Sequence, residues 1–208
     1  MAKYELTSET KVLLGKTLYR IRALVAFGNV ERGELGGWIE KEENLDQYGN
    51  AWVSGDARVY GNAWVSGDAR VYGNAEVYGN ARVYGNAEVY GNAEVYGNAE
   101  VYGNAEVYGN AEVYGIGAIF WIGGIGSRNG TTTFFACKDK EIRVVCGCFF
   151  GTLDEFVAKV KQTHGDNEHA NVYLLAVEMA KARIKTEGVA GNEQDEEEEK
   201  EPQQAASL

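Results

Sequence analysis

Glu88-Val89-Tyr90-Gly91-Asn92-Ala93 runs directly into Glu94-Val95-Tyr96-Gly97-Asn98-Ala99, and the unit Glu-Val-Tyr-Gly recurs five times without interruption after Arg82. Outward from this stretch the frame holds. Valine returns every sixth residue from Val53 to Val113, alanine from Ala51 to Ala111, and glycine from Gly49 to Gly115. A six-residue period suits a helix poorly, because the apolar position would rotate off any one face, but it suits a short strand followed by a corner. The Glu-Val-Tyr triplet is extended and β-prone, and Gly-Asn supplies the backbone freedom that a bend needs. Short repeats of this kind predict a parallel β-helix.

The Val-Tyr-Gly-Asn-Ala-Glu unit resembles the hexapeptide repeat of left-handed β-helices. In those proteins an aliphatic residue and a small residue four positions later point into a triangular prism, with three hexapeptides per coil. The resemblance implies a mainly β fold: a left-handed parallel β-helix over residues 48–115, with an N-terminal β cap over 1–47 and a small C-terminal α+β module over 116–186. Usual crossover chirality is right-handed, so the left hand is taken from the resemblance alone. A tail, 187–208, completes the chain.

Coils of eighteen residues make internal predictions. Arg58 should lie over Glu76, Arg70 over Glu88 and Arg82 over Glu100, while stacks such as Glu76 with Glu94 and Glu88 with Glu106 are expected to repel. Tyrosines should form outward ladders, for instance Tyr60, Tyr78, Tyr96 and Tyr114. We read one such apolar face as a subunit interface, and the hexapeptide resemblance favours a homotrimer. Residues 52–63 and 64–75 are identical, so copy number looks expandable. A spacer or assembly rod tolerates such duplication better than a catalytic surface does.

The flanks carry the rest of the information. The net charge of −11 is uneven: −1 over residues 1–47, −5 over 48–115, +2 over 116–186 and −7 over 187–208. The tail, with its Asp195–Glu199 run, reads as disordered and solvating. No apolar run reaches the roughly 18 residues of a membrane span and the start lacks a secretory signal, so no membrane association is expected. Three cysteines, an odd number in one segment, fit a reducing cytoplasm. Leu18–Phe27 alternates as a strand, and Gly33–Glu40 reads as a turn and an apolar plug for the open end of the rod.

In the C-terminal module, strands are predicted at Ile119–Ile125, Thr131–Ala136 and Ile142–Phe149. A capping box at Thr152–Glu155 opens a helix that Gly165 closes, with Leu153, Phe156, Val157 and Val160 inward. A second helix runs from about Glu168 to Thr186, with Tyr173, Leu174, Val177 and Ile184 inward. The segment between the first two strands supplies the candidate ligand site: Ser127, Arg128, Asn129, Thr131, Thr132 and Thr133. One guanidinium, several hydroxyls and free backbone amides are the parts needed to grip an anion, although Asn129-Gly130 also reads as a plain hairpin turn. Cys137, Cys146, Cys148 and His164 could in principle ligate zinc, but their spacing is poor. No metal or cofactor is expected.

Hexapeptide β-helix enzymes, the acyltransferases and one class of carbonic anhydrase, draw on histidines in or beside the coils. Here the only histidines, His164 and His169, follow the rod, so a non-catalytic role is expected, with a hexapeptide-type acyltransferase as the alternative. A structural scaffold or an acidic DNA-mimic or protein-binding module are further readings, and nucleic acid is not an expected partner. The layout of Gly33–Leu45 before the repeats, and of Gly126–Phe135 and Cys146–Phe149 after them, resembles phage and prophage proteins with Tyr-Gly-Asn-Ala runs, a group largely without assigned activity. Resemblance and loop chemistry together imply a viral protein in the bacterial host cytoplasm. Oligomerised by its rod, it would sequester a small anionic ligand such as a cyclic nucleotide used in host immunity.

Overall fold

The computed structural model describes residues 2–186; the acidic tail at 187–208 lies outside the described residues. Three strands come first: β1 (Tyr4–Leu13), β2 (Lys16–Ala23) and β3 (Leu35–Ile39). Eleven two-residue rungs follow, from Trp52–Val53 to Glu112–Val113. The C-terminal part holds β4 (Ile119–Ile125), β5 (Gly130–Ala136), β6 (Ile142–Cys146), β7 (Phe149–Thr152), α1 (Leu153–His164) and α2 (Glu168–Arg183). The chain is mainly β, a β-solenoid of about four turns between an N-terminal sheet and a C-terminal antiparallel sheet with two helices.

The rungs stack in parallel on three faces, each residue pairing with the one eighteen positions on: Glu88 with Glu106, Glu94 with Glu112, Glu100 with Arg82. The first face continues upward through β3, β2 and β1; the second carries the Trp52, Arg70, Glu88 and Glu106 rungs; the third carries those of Trp64, Arg82 and Glu100. The valines from Val53 to Val113 are fully buried, with the alanines beside them. Burial of these paired columns is the apolar driving force of the rod.

Outside the prism the stacking makes its own ladders. Asn62 donates to Asn80, Asn80 to Asn98 and Asn86 to Asn104 at 3.0–3.3 Å. Tyrosine rings stack at centroid distances of 4.6–5.2 Å, as in Tyr60–Tyr78, Tyr72–Tyr90, Tyr84–Tyr102 and Tyr90–Tyr108, while Tyr114, expected in the first ladder, tilts away from Tyr96 at 6.4 Å. Five of the hydroxyls, those of Tyr60, Tyr72, Tyr78, Tyr84 and Tyr96, reach a glutamate sixteen residues on, Tyr72 to Glu88 at 2.8 Å and Tyr96 to Glu112 at 2.7 Å, whereas Tyr114 donates to the Lys185 oxygen.

These hydrogen bonds correct the expectation of unpartnered glutamate stacks: Glu76, Glu88, Glu94, Glu100 and Glu112 all accept from tyrosine. Repulsion survives at Glu106, whose carboxyl is raised above its usual value by burial and by Glu88 above it. Of the three expected arginine pairs, Arg58–Glu76 closes at 2.6 Å. Arg70 and Arg82 hold the expected register but form no ion pair among the described residues.

Both ends are plugged, with opposite chemistry. Each coil donates its N–H groups to carbonyls of the next, as Tyr84 does to Val101 at 3.0 Å. The N-terminal end is therefore left with carbonyls, and donors meet them: Lys3 Nζ to the Ala51 oxygen at 2.9 Å, Tyr4 Oη to the Leu45 oxygen at 2.7 Å, and the buried Asn44 amide to the Ala63 oxygen at 2.8 Å. At the C-terminal end an acceptor is needed, and the Thr133 hydroxyl takes the Glu106 N–H at 3.2 Å. Buried backbone groups left without such partners would be costly.

The expected cap and rod overlap. Trp38–Ile39 of β3 already pairs in parallel with Arg58–Val59, and Leu45 bridges Val65. Coil stacking thus begins inside residues 1–47. The strand expected over Leu18–Phe27 is β2, which begins at Lys16 and stops at Ala23, short of Phe27, and its hairpin partner β1 carried too little alternation to be read. Likewise the strand expected over Ile142–Phe149 is two, because Gly147, at φ 60°, turns the chain between β6 and β7.

Candidate functional site

The β4–β7 sheet is a partition. One face lies on the end of the solenoid through Trp121 against Tyr102 and Phe150 against Tyr108. The other carries Phe134 and Phe149 against Phe156 of α1. Alternation along the strands allots residues to one side or the other.

That alternation decides where the sequence-derived candidates go. Thr132 is fully buried on the helix side, its hydroxyl 3.2 Å from the Cys146 sulfur. Thr133 is buried on the solenoid side, holding the Glu106 N–H. Both hydroxyls are therefore committed to the fold. Thr131 is half-buried at the start of β5, near Gly123. Asn129 closes the four-residue turn Gly126–Asn129 at φ 50°, its N–H donating to the Gly126 oxygen at 3.2 Å. The expected two-residue Asn129-Gly130 turn is instead this four-residue one, because Gly130 already pairs with Ile125, and it delivers two of the six candidates, Ser127 and Arg128, to a cleft.

This cleft, of about 170 Å³, lies between the turn and the helices. Arg128 spreads its guanidinium over Gly147, where a side-chain carbon would collide with it. Around it stand Lys159, Thr163 and His164 from α1 and Tyr173 from α2, on a floor that includes Phe149 and Phe156. None of the lining residues is acidic. The Tyr173 hydroxyl, raised to about 12 chiefly by burial and then by Cys146, remains a donor at neutral pH. Such a set of donors can hold an anion.

α1 is placed by local chemistry. Thr152 accepts the Glu155 N–H at 3.2 Å while Glu155 accepts the Thr152 N–H at 2.8 Å, the expected capping box. Gly165 at φ 58° ends the helix, its N–H donating to Lys161. Phe156, Lys159, Val160, Thr163 and His164 then follow the spacing of one helical face. That spacing was the available signal for the residues the sequence reading missed: a cation and a hydroxyl interrupting an apolar stripe.

The cysteines separate. Cys137 is buried, and burial pushes its thiol up to about 12; Cys146 faces the helices and Cys148 sits exposed in the β6–β7 turn. No cluster of three metal-ligating side chains occurs among the described residues. None of the described helices is long and apolar enough to cross a membrane.

Stacked two-residue rungs with a sealed valine–alanine interior define a β-solenoid repeat protein. The YdcK beta solenoid repeat family matches residues 51–67 and 75–91, both inside the rung array. A search of curated proteins gave no match.

Proposed function

We propose that the protein is a non-catalytic binding protein whose C-terminal module holds a small, phosphate-like anion in the Arg128 cleft. The supporting observation is a cleft lined by Arg128, Lys159 and His164 without a carboxylate, in a chain of net charge −11. A guanidinium and an ammonium that face one cleft without a carboxylate partner leave their donors for an anion, and charge-assisted hydrogen bonds to it are the strong ones. In this reading the rod is a left-handed prism and the oligomer a homotrimer. The protein is phage-encoded, acts in the bacterial cytoplasm and sequesters a nucleotide immune signal.

Size refines that reading. At about 170 Å³ the cleft is smaller than the roughly 300 Å³ at which drug-sized ligand sites begin. It takes a phosphoryl group rather than a whole dinucleotide. Sequestration of a larger signal therefore uses clefts from neighbouring copies, or this cleft as one contact among several.

Calorimetry with inorganic phosphate, pyrophosphate and cyclic dinucleotides tests the proposal, with each ligand recovered after denaturation. Retention of an intact ligand, weakened at least tenfold by Arg128→Ala and by Lys159→Ala, is expected. Altered products would indicate an enzyme, and retention indifferent to both substitutions would remove the cleft from consideration.

A further inference from the structure

The tyrosine ladders do not all run the length of the rod. On the second face Phe150, Tyr108, Tyr90 and Tyr72 form a continuous stack, and the next position up is Ser54, whose N–H donates to the Val71 oxygen at 2.9 Å. The upper face of the Tyr72 ring thus has no ring above it. On the first face the equivalent place is filled, because Tyr60 stacks on Tyr78 at 5.0 Å.

The vacancy is a cavity of about 250 Å³, roofed by the chain between β2 and β3. Ser54, Tyr72, Trp52, Arg70, Asn50 and Glu34 line it. Trp52 is 5% exposed and its indole N–H has no hydrogen-bond partner, a costly state for a buried donor. Arg70 also lacks an ion pair, although Arg58, its counterpart one face away, has Glu76. Glu88 beneath Arg70 accepts from the Tyr72 hydroxyl, as Glu76 does from Tyr60, but receives no guanidinium.

We propose that this slot binds a mononucleotide. The base stacks on Tyr72 as the missing ring of the ladder, its phosphate meets Arg70, and its edge is read by the Asn50 and Glu34 side chains. Aromatic stacking supplies base-tolerant affinity, and the guanidinium supplies the preference for a charged nucleotide over its nucleoside. The site is separate from the Arg128 cleft, at the other end of the rod, and stands whether or not that cleft binds an anion.

Adenosine 5′-monophosphate is the probe, titrated by calorimetry into the Arg128→Ala protein so that the C-terminal cleft does not contribute. Binding is expected, and adding Ser54→Tyr should weaken it at least tenfold by filling the slot with a side chain. That substitution completes a ladder, so the melting temperature should hold or rise, separating occlusion from misfolding. Adding Arg70→Gln instead should reduce binding of the nucleotide to the level of adenosine while leaving adenosine unchanged. No binding of the probe to the Arg128→Ala protein, or binding unaffected by Ser54→Tyr in a folded protein, would overturn the assignment.

Discussion

Replacing Gly85 with alanine tests the stacking of corners that makes the rod. Gly85 sits at φ 72°, where an L residue costs roughly 1–2 kcal/mol. A carbon added there would lie 3.0 Å from the backbone nitrogen of Gly103, and the same corner is tied by Asn86 N–H to the Gly103 oxygen at 2.8 Å. Neither partner is a flexible side chain, so the coils must part by a few tenths of an ångström, at a further ~1 kcal/mol. Reduced freedom of the unfolded chain returns about 0.4–1 kcal/mol. The net loss is about 2 kcal/mol, or ~4–8 °C in melting temperature for a chain of this size. Gly115→Ala is the control, since Gly115 is extended at φ −178° and nothing lies within 4 Å of the added carbon. Urea unfolding followed by circular dichroism and by tryptophan fluorescence measures both. Equal costs at the two positions would refute the argument from left-handed geometry and close stacking.

Three further outcomes follow from the same geometry. Burial first, and then the neighbouring carboxylates, raise the pKa values of Tyr60, Tyr78 and Tyr90 well above the ordinary tyrosine value. The unfolded chain loses those protons near pH 10 while the folded chain keeps them, so stability is intact below pH ~10 and falls as pH rises further; urea midpoints flat from pH 9 to 11.5 would contradict this. Deleting one hexapeptide, Glu94–Ala99, leaves every stack eighteen residues apart and should preserve the β circular dichroism signal and a cooperative melt, whereas deleting Glu94–Tyr96 alone puts the wrong residues inside and should abolish both. Thr152→Ala removes the hydroxyl that accepts the Glu155 N–H and should cost ~1 kcal/mol in chemical denaturation, with no change in the rod.

The rod was legible because valine and alanine columns are a local code: each copy repeats the same inside–outside decision. Eighteen-residue registers could be checked against that code alone. Tyrosine-to-glutamate bonds were not found by it, since they join residues sixteen apart, and comparing only stacked positions passes over the diagonal. The candidate loop was half legible. Arg128 and Ser127 reach the cleft, but Thr132 and Thr133 belong to a strand whose two sides face different neighbours, a fact fixed by where the sheet docks. Lys159, Thr163 and His164 became part of the site only through the packing of α1 on that sheet, although their helical spacing was in view.

The different plugs at the two ends of the rod bear on assembly. A stack of coils with donors at one terminus and acceptors at the other is a polar filament in miniature, and any copy could in principle grow onto the next, head to tail, without a natural stopping point. Lys3, Tyr4 and Asn44 occupy the acceptor end and the Thr133 sheet occupies the donor end. Repeat number can therefore drift while the object stays finite. What keeps this sequence from being a fibre is written outside its repeats.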